Sequence, residues 1–207
     1  MPSISIFGAG KMGTAVGGIA VRSGAEVQII APVLGEAAAT ASVLGATAAT
    51  VGDPLTGDIV IFAVPYSAIA QILATYAGEL ADKIVVDVTN PVDYTTFDSL
   101  VVPPDGSAAQ QIAEAVPAAR VLKAFNTTFA GTLTSGLTGE TPTTVLVAGD
   151  DQAAKDALIG VIEGGGLRAM DVGSLRRARE LEAIGFLQST LAASGRITWA
   201  GGFVVTA

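Results

Sequence analysis

The feature that most constrains the fold is a strand, a glycine-rich turn and a helix at the start of the chain. Residues 3–7 form a β-branched run, the turn Gly8-Ala9-Gly10-Lys11-Met12-Gly13 follows, and residues 14–22 have a helical pattern. In G-x-G-x-x-G the first glycine permits a tight turn, the second lets the backbone approach a diphosphate, and the third lets the helix pack on the strand. Free N–H groups and the dipole at the helix start attract phosphates. The pattern predicts a dinucleotide-binding turn.

Strand and helix patterns alternate along the rest of the chain with short connections. The continuous apolar runs 58–64 and 83–88 are typical of strands buried in parallel sheets. Such alternation predicts an α/β fold, a Rossmann-type doubly wound and mostly parallel sheet with extra C-terminal strands and a C-terminal helix. We expect one NAD(P)-binding domain, 1–207, with 143–207 as a C-terminal extension packed on it. The other predicted strands are 25–30, 47–51, 120–125, 143–148 and 167–172, and the later predicted helices are 36–44, 67–76, 107–116 (capped by Ser107), 151–163 and 176–194. The pattern leaves open whether the last strands run antiparallel.

Composition excludes several classes of function. The net charge of −8 argues against nucleic acid and anionic membrane surfaces as partners. The chain has no Cys and no His, which excludes disulfides, imidazole metal ligands and a Ser-His-Asp triad, and we predict no metal site. No apolar stretch approaches the ~18 residues that span a bilayer, and no secretory signal is visible, so we expect a cytoplasmic protein without a membrane partner. A basic cluster near the C-terminus is interpreted as a solvated helix surface, with a phosphate or partner site as the alternative: Arg168, Arg176, Arg177 and Arg179.

Polar side chains follow three of the predicted strands. They are Tyr66, then Thr89 with Asn90, then Asn126 with Thr127. Ligands of doubly wound sheets lie along the carboxyl ends of the strands. One shared pocket explains all three better than separate turns do.

The end of the second strand bears on the choice of dinucleotide. NAD-binding proteins usually carry Asp or Glu there, about 20 residues after the glycines, to hold the ribose hydroxyls. This chain has Ala31-Pro32-Val33, and the next acid is Glu36. The Arg that usually binds a 2′-phosphate is also missing, and Lys11 is the nearest cation. The missing acid favours NADP over NAD, which stays possible, and Ala31 is a candidate cofactor contact.

The residues leave the catalytic group undetermined. Alcohol oxidation needs a base, for which Lys123, Tyr66, Asp87 and Asp93 are the candidates, although a Lys near a strand end more often pairs with a carboxylate. Hydride transfer to a flavin-like ring has a different requirement, since solvent can supply any proton and the protein mainly orients the rings and excludes water. A site of Asn, Thr, Tyr, Pro and backbone fits this second reaction better.

Four stretches together resemble the coenzyme F420-dependent NADP oxidoreductase family. They are GAGKMG at 8–13, AVP at 63–65, VVDVTNP at 85–91 and, most specifically, VLKAFNTTFAGTL at 121–133. The cytoplasmic domain of the STEAP ferric reductases is similar and shares KAFNT. The resemblance covers nearly the whole chain. It implies a Rossmann fold, NADP as cofactor, and hydride exchange with a small-molecule acceptor, an 8-hydroxy-5-deazaflavin or an ordinary flavin.

The resemblance also implies the cofactor-binding residues. Family members commonly carry Ser and Arg after the second strand, where this chain has Ala31, Pro32 and Val33. The implied diphosphate contacts are Gly8, Ala9, Gly10, Lys11 and Met12. The residues implied to flank the cofactor are Ala63, Val64 and Pro65, and those implied to border the nicotinamide are Asn90, Pro91, Ala124 and Asn126.

Two other functions remain open, and an oligomer is predicted. A non-catalytic NADP(H) sensor needs the same turn. Imine or carbonyl reductases, such as the pyrroline-carboxylate reductases, begin similarly but carry a long helical dimerisation domain, for which only 176–207 is available here. The final helix has an apolar stripe and an apolar segment follows it at 199–204, so we predict a homodimer that helps build the acceptor pocket. The stripe consists of Leu181, Ile184, Leu187, Gln188 and Leu191.

Overall fold

An eight-stranded sheet forms the centre of the structure, a computed structural model that describes residues 1–206. The order of strands across the sheet is β10-β9-β6-β5-β4-β1-β2-β3. The strands are β1 (Ser3–Phe7), β2 (Glu26–Ala31), β3 (Thr47–Thr50), β4 (Ile59–Phe62), β5 (Ile84–Asp87), β6 (Arg120–Ala124), β9 (Thr144–Gly149) and β10 (Arg168–Asp171), and β7 (Leu137–Thr138) pairs with β8 (Thr141–Pro142) in a separate hairpin. The predicted Rossmann-type α/β fold is confirmed.

The first six strands are parallel, and the sheet reverses its winding between β1 and β4. β9 then pairs antiparallel with β6, with Lys123 opposite Ala148, and β10 pairs parallel with β9. If β9 ran parallel to β6, the connection between them would have to cross back along the full length of the strands, usually as a helix. The chain after β6 contains only the six-residue helix α5 (Ala130–Ser135) and the hairpin, so β9 begins near the end of β6 and runs back. The direction that the sequence left open is therefore antiparallel at β9.

Helices cover both faces of the sheet, which explains its continuous apolar strands. Ile59 and Ile61 of β4 join the core under α1, α2 and α6, whereas Val60 and Phe62 join the core under α3 and α4. Alternate side chains thus enter opposite cores, and both sets must be apolar. The helices are α1 (Lys11–Arg22), α2 (Leu34–Leu44), α3 (Ile69–Tyr76), α4 (Ala108–Ala115), α6 (Gln152–Gly164) and α7 (Ala178–Ala193).

Most predicted helices are present with shifted ends. Ser107 caps α4 as predicted, because its Oγ accepts a hydrogen bond from Gln110 N at 3.1 Å. The predicted final helix begins two residues late, after a 3-10 turn at Leu175–Arg177. The four arginines of the basic cluster are exposed, and Arg177 forms an exposed ion pair at 3.5 Å with Glu180, three residues further along the chain, in keeping with a solvated surface. No helix within 1–206 combines the length and the apolarity needed to cross a membrane.

Candidate active site

The three glycines of the first turn have different surroundings. Gly8 has φ of +116°, and a Cβ there would lie 2.3 Å from the carbonyl oxygen of Ala63. A Cβ at Gly13 would lie 1.9 Å from the carbonyl oxygen of Gly8, so only glycine lets α1 approach β1 this closely. A Cβ at Gly10 would meet no atom within 4 Å. Packing therefore requires Gly8 and Gly13, whereas Gly10 borders open space.

The N-terminus of α1 faces that space without a protein partner. Gly10 is the N-cap residue, no side chain caps the helix, and no acidic residue lies in its first turn. The first backbone bond of the helix runs from Thr14 N to Gly10 O at 2.9 Å. The earlier N–H groups have no intrahelical acceptor, and together with the helix dipole they form a site suited to an anion.

A cavity of about 420 Å³ lies beside this turn, along the carboxyl ends of β1, β4 and β5. It brings together predicted cofactor residues from three separate parts of the chain. The turn contributes Gly10, Lys11 and Met12, the segment after β4 contributes Ala63, Val64 and Pro65, and the segment after β5 contributes Asn90.

The remaining predicted residues lie behind or beside the cavity wall. Ala9 borders an adjoining hollow between α1 and α5. Ala31 is buried at the end of β2, and its carbonyl accepts from Val51 N at 3.3 Å. Pro91 and Ala124 are buried as well. Gly8 and Gly13 lie outside the lining, where they allow the turn to pack closely on β4 and β1. Asn126 also lies outside the lining, and its side chain is hydrogen-bonded to Asn90.

Asn90 and Asn126 form a reciprocal pair across the ends of β5 and β6. Asn126 Nδ2 donates to Asn90 Oδ1 at 2.8 Å and to Leu181 O of α7 at 2.8 Å. Asn90 Nδ2 donates to Asn126 O at 2.9 Å. Phe125 has φ of +65°, which a non-glycine residue rarely adopts, and this strained turn directs the chain to Asn126. The two amides thereby connect both strand ends to α7.

Two buried polar atoms in this region have no hydrogen-bond partner within 1–206. They are Thr89 Oγ1 and Asn126 Oδ1, and their residues are 4% and 3% exposed. Thr89 lines the cavity. Buried polar groups are almost always paired, so the unpartnered hydroxyl of Thr89 beside the cavity indicates a ligand, whereas Asn126 Oδ1 lies outside the lining, behind Asn90.

A fully buried ion cluster lies beneath the site. Lys123 Nζ donates to Asp87 Oδ2 at 2.7 Å, to Glu182 Oε1 at 2.8 Å and to Thr89 O at 2.6 Å. Glu182 Oε2 also accepts from Ala108 N at the start of α4, at 3.0 Å. Burial raises the pKa of the Glu182 carboxyl, and the charge of Lys123 opposes that shift. The cluster joins β5, β6, α4 and α7 directly under Thr89.

The cluster decides between the candidate bases. The interpretation that Lys123 pairs with a carboxylate is correct, and Asp87 is buried in the same cluster. Asp93 accepts from Thr95 N at 2.8 Å and from Thr96 Oγ1 at 2.9 Å, which stabilises a turn and lowers the pKa of Asp93. The sequence analysis did not identify Glu182 as part of the site. Its position beside Leu181 of the apolar stripe was a signal that its carboxylate could be buried and paired with a cation.

Tyr66 is the remaining candidate base, and it borders the cavity. Its hydroxyl donates to Gln111 Oε1. Burial, followed by the charges of Glu182 and Asp87, raises the pKa of the Tyr66 hydroxyl. At neutral pH this side chain is therefore an uncharged hydrogen-bonding group and not a base.

The end of β2 carries neither an acid that would bind the ribose hydroxyls of NAD nor an arginine that would bind the 2′-phosphate of NADP. Val33 is the N-cap residue of α2 without a side-chain bond, and Val33 and Leu34 are both exposed. Glu36 lies in the first turn of α2. Lys11 is the one charged residue among those that line the cavity.

Comparison with known proteins identifies the family. The model of the family described as "NADP oxidoreductase coenzyme F420-dependent" matches residues 3–91. The F420-dependent NADP reductase of Methanothermobacter marburgensis is 33% identical over 165 residues, which cover 77% of this chain and 72% of that protein. The chain belongs to the coenzyme F420-dependent NADP oxidoreductase family. This membership confirms the predicted family.

Two further relatives match over shorter spans. The F420-dependent NADP reductase of Methanocaldococcus jannaschii is 33% identical over 132 residues, 62% of this chain and 59% of that protein. The metalloreductase STEAP3 of Rattus norvegicus is 35% identical over 125 residues, 60% of this chain and 24% of that protein. The matched region thus spans less than two thirds of either relative. The match to STEAP3 confirms the predicted resemblance to STEAP proteins.

Solved structures support the fold. A putative F420-dependent NADP reductase from Arthrobacter sp. FB24 superposes with a TM-score of 0.87 at 24% identity and covers 100% of both chains. The imine reductase of Streptomyces aurantiacus superposes with a TM-score of 0.67 at 18% identity, over 94% of this chain but 62% of that one. At these identities the likeness concerns the fold alone.

Proposed function

We propose that the protein is an NADP-dependent oxidoreductase that transfers a hydride between NADP(H) and an acceptor of the flavin or deazaflavin class. The observation that carries this proposal is the open space at Gly10, which joins an uncapped helix N-terminus to a cavity lined by Thr89, whose buried hydroxyl has no partner within the described residues. Family membership supports the dinucleotide. The names of the archaeal relatives, F420-dependent NADP reductases, support a deazaflavin.

The diphosphate half of the site consists of backbone groups. We assign the phosphates to the N–H groups at the start of α1, over Gly10, with Lys11 as the neighbouring cation. A side chain at position 10 would occupy this space, and an acidic one would also repel the phosphates. The residues present therefore fit a dinucleotide diphosphate.

The nicotinamide half consists of the ends of β5 and β6. A carboxamide offers one acceptor oxygen and one NH2 donor. Thr89 belongs to the cavity lining, and its Oγ1 can donate to the carboxamide oxygen and lacks a partner within the described residues. This hydroxyl is complementary to the carboxamide, and the pairing of Asn90 with Asn126 holds the adjacent strand ends in place.

The proposed chemistry needs little from acid or base groups. When bound, NADPH supplies a hydride from its nicotinamide ring, and an acceptor ring of this class takes it directly. The chain contributes orientation through Asn90, Thr89 and Asn126. It excludes water with the apolar wall of Val64, Pro65 and Val92. A general base is dispensable, in keeping with the buried ion pairs of Lys123 and the neutral Tyr66.

An assay of NADPH oxidation tests the proposal. We expect turnover with at least one of riboflavin, FMN, FAD and 8-hydroxy-5-deazaflavin, and tighter binding of NADPH than of NADH in calorimetry. Micromolar NADPH binding without turnover of any acceptor would identify a sensor. Turnover of cyclic imines, but of no flavin or deazaflavin, would identify an imine reductase. Absence of binding to either dinucleotide, in a folded protein, would contradict the assignment of the site.

A further inference from the structure

The chain folds back over the site after α7. Gln188 of α7 is buried and holds this segment, since its Oε1 accepts from Phe203 N at 3.0 Å and its Nε2 donates to Thr127 O at 3.2 Å. Trp199 packs on Phe129 with 4.9 Å between ring centroids. Its carbonyl oxygen would lie 3.1 Å from a Cβ at Gly131, so the segment also packs closely on α5. Residues 195–204, called the C-terminal strap below, are thus fastened at two points.

Trp199 forms part of the cavity wall although it is 56% exposed. Tyr94 and Phe97, from the loop after β5, line the same cavity, with 6.0 Å between their ring centroids. That loop is held in shape, because Asp93 accepts three hydrogen bonds within it, one of them from Phe97 N to its carbonyl at 2.7 Å. Solvent-accessible aromatic rings gathered in one cavity are typical of a ligand surface.

The aromatic part of the cavity has no charged side chain. Lys11 is the one charged residue of the lining, and it belongs to the glycine turn at the dinucleotide end. The polar groups elsewhere are hydroxyls and amides, from Tyr66, Thr89, Asn90 and Ser189. A second ligand beside the nicotinamide would therefore meet aromatic faces and neutral polar groups.

We propose that Trp199, carried by the C-terminal strap, is the stacking wall of an acceptor subsite that recognises a flat, uncharged aromatic ring system and not a phosphate on its side chain. Aromatic side chains bind planar heterocycles through their faces, and this binding tolerates differences in the attached groups. The inference rests on the proposed function and names the substrate class of the same site. Trp199 is a specificity-determining residue here, without a part in bond making.

Kinetics with matched variants test this assignment. Trp199→Ala should raise the KM for riboflavin about fivefold or more, since loss of one stacking face weakens binding by at least about that factor. Trp199→Phe keeps a ring and should stay within about threefold of the wild type. Phe203→Ala removes another exposed aromatic of the strap that does not line the cavity, and its KM should not change. All three should keep the Kd for NADPH, and the wild-type KM for riboflavin and FMN should agree within about threefold.

Fluorescence provides a readout that does not depend on turnover. Trp199 is the only tryptophan of the chain, so its emission reports on this subsite alone. Titration of the NADP⁺-loaded protein with riboflavin should quench the emission saturably, with a midpoint that FMN shares within about threefold. The Phe203→Ala protein should give the same curve.

The outcomes separate the two proposals. Turnover with an unchanged KM in Trp199→Ala, or quenching that stays linear as for free tryptophan, would overturn the stacking wall and leave the proposed function intact. A preference of more than tenfold for FMN over riboflavin would overturn recognition by the ring alone. Saturable quenching without turnover of any acceptor would contradict the proposed function while supporting the aromatic subsite.

Discussion

At the scale of single residues, identical glycines in the first turn perform different tasks. Gly13 is required by the fold, because a Cβ there would lie 1.9 Å from a backbone oxygen. Gly10 leaves its Cβ position free, and the conformation of its backbone, φ −81° and ψ −173°, is open to any residue. Nothing within residues 1–206 of the folded chain therefore requires glycine at position 10, and we propose that the space its missing side chain leaves is taken by the diphosphate.

The first prediction separates these tasks by substitution with alanine. Gly10→Ala should fold with a melting temperature within a few degrees of the wild type but bind NADPH at least tenfold more weakly. Gly13→Ala should fail to fold. Gly160→Ala is the control, because it lies exposed in α6 with nothing near its Cβ position, and it should bind normally and gain about 0.5–1 kcal/mol in free energy of unfolding. Unchanged NADPH affinity in Gly10→Ala would show that the diphosphate lies elsewhere.

A second prediction concerns the unpartnered hydroxyl of Thr89. Val has nearly the shape of Thr and removes a buried polar atom that has no partner in the described structure. Thr89→Val should therefore raise the free energy of unfolding by about 1 kcal/mol, since an unsatisfied buried group costs about that much. The same change should weaken NADPH binding, because the proposed carboxamide contact is lost. Urea denaturation checks the stability of this variant, and calorimetry checks its affinity for NADPH. A variant that is less stable than the wild type would show that the hydroxyl of Thr89 has a partner in the folded protein.

At the scale of elements, the buried cluster of Lys123, Asp87 and Glu182 connects two strands and two helices beneath the site. Lys123 lies on β6, Asp87 ends β5, and Glu182 projects from α7 toward the start of α4. Each charge is fully buried, so the cluster is stable only with its partners in place. The positions of Thr89 and of α7 depend on it together.

A third prediction follows from the charge of that cluster, which is one cation against two carboxylates. Lys123→Met should lower the free energy of unfolding by about 3–5 kcal/mol, because it leaves two carboxylates buried without a counter-ion. Glu182→Gln should cost clearly less, since it leaves the neutral pair of Lys123 and Asp87. Urea unfolding of both variants checks the order, and a smaller loss in Lys123→Met than in Glu182→Gln would refute the account.

The fourth prediction is a pH dependence at the same place. Burial raises the pKa of Glu182 above its ordinary value of 4.5, so the folded chain retains a proton that the unfolded chain releases. The free energy of unfolding should then fall as pH rises from 4.5 through the raised pKa of the folded state. The lowered pKa values of Asp53, Asp93 and Asp171 act in the opposite direction, but below their ordinary value of 3.8. The fall should be absent in Glu182→Gln, and urea titrations between pH 4.5 and 7 measure the difference.

At the scale of the whole molecule, the final helix and the C-terminal strap leave apolar surface exposed. Leu187, Phe203 and Val204 are 51%, 49% and 45% exposed, while Leu181 and Gln188 of the predicted stripe are buried within the chain. Only part of the stripe is thus available to a partner. The strap covers the site of its own chain, so a second copy is not needed to supply Trp199.

The predicted homodimer is the fifth prediction, tested by sedimentation equilibrium. We expect a dimer at micromolar concentration that Leu187→Glu converts to monomer, because the charge would lie in the apolar contact. A wild-type protein that sediments only as monomer would contradict the dimer. The division of the chain at residue 143 and the cytoplasmic location also stay predictions.

The amount of the fold that could be predicted differs from region to region. Continuous apolar strands, the capping Ser107 and the glycine spacing are local patterns, and each predicted its element within a few residues. The short helix α5 and the hairpin were missed, because their Thr- and Gly-rich residues have no strong period. The antiparallel β9 was left open, since the direction of a strand depends on where the preceding connection leaves the chain.

The same division holds for the site. Sequence alone determined the dinucleotide turn, the polar strand ends and the family, because each depends on residues close together in the chain or on a fixed spacing. Tertiary structure alone decided that Lys123 meets both Asp87 and Glu182, that Asn126 Oδ1 and Thr89 Oγ1 have no partner among residues 1–206, and that Trp199 reaches the cavity. The contacts of Lys123 with Asp87 and Glu182, for example, join residues 36 and 59 positions apart, and the packing of α7 and the strap on the sheet brings such residues together. No local pattern encodes that packing.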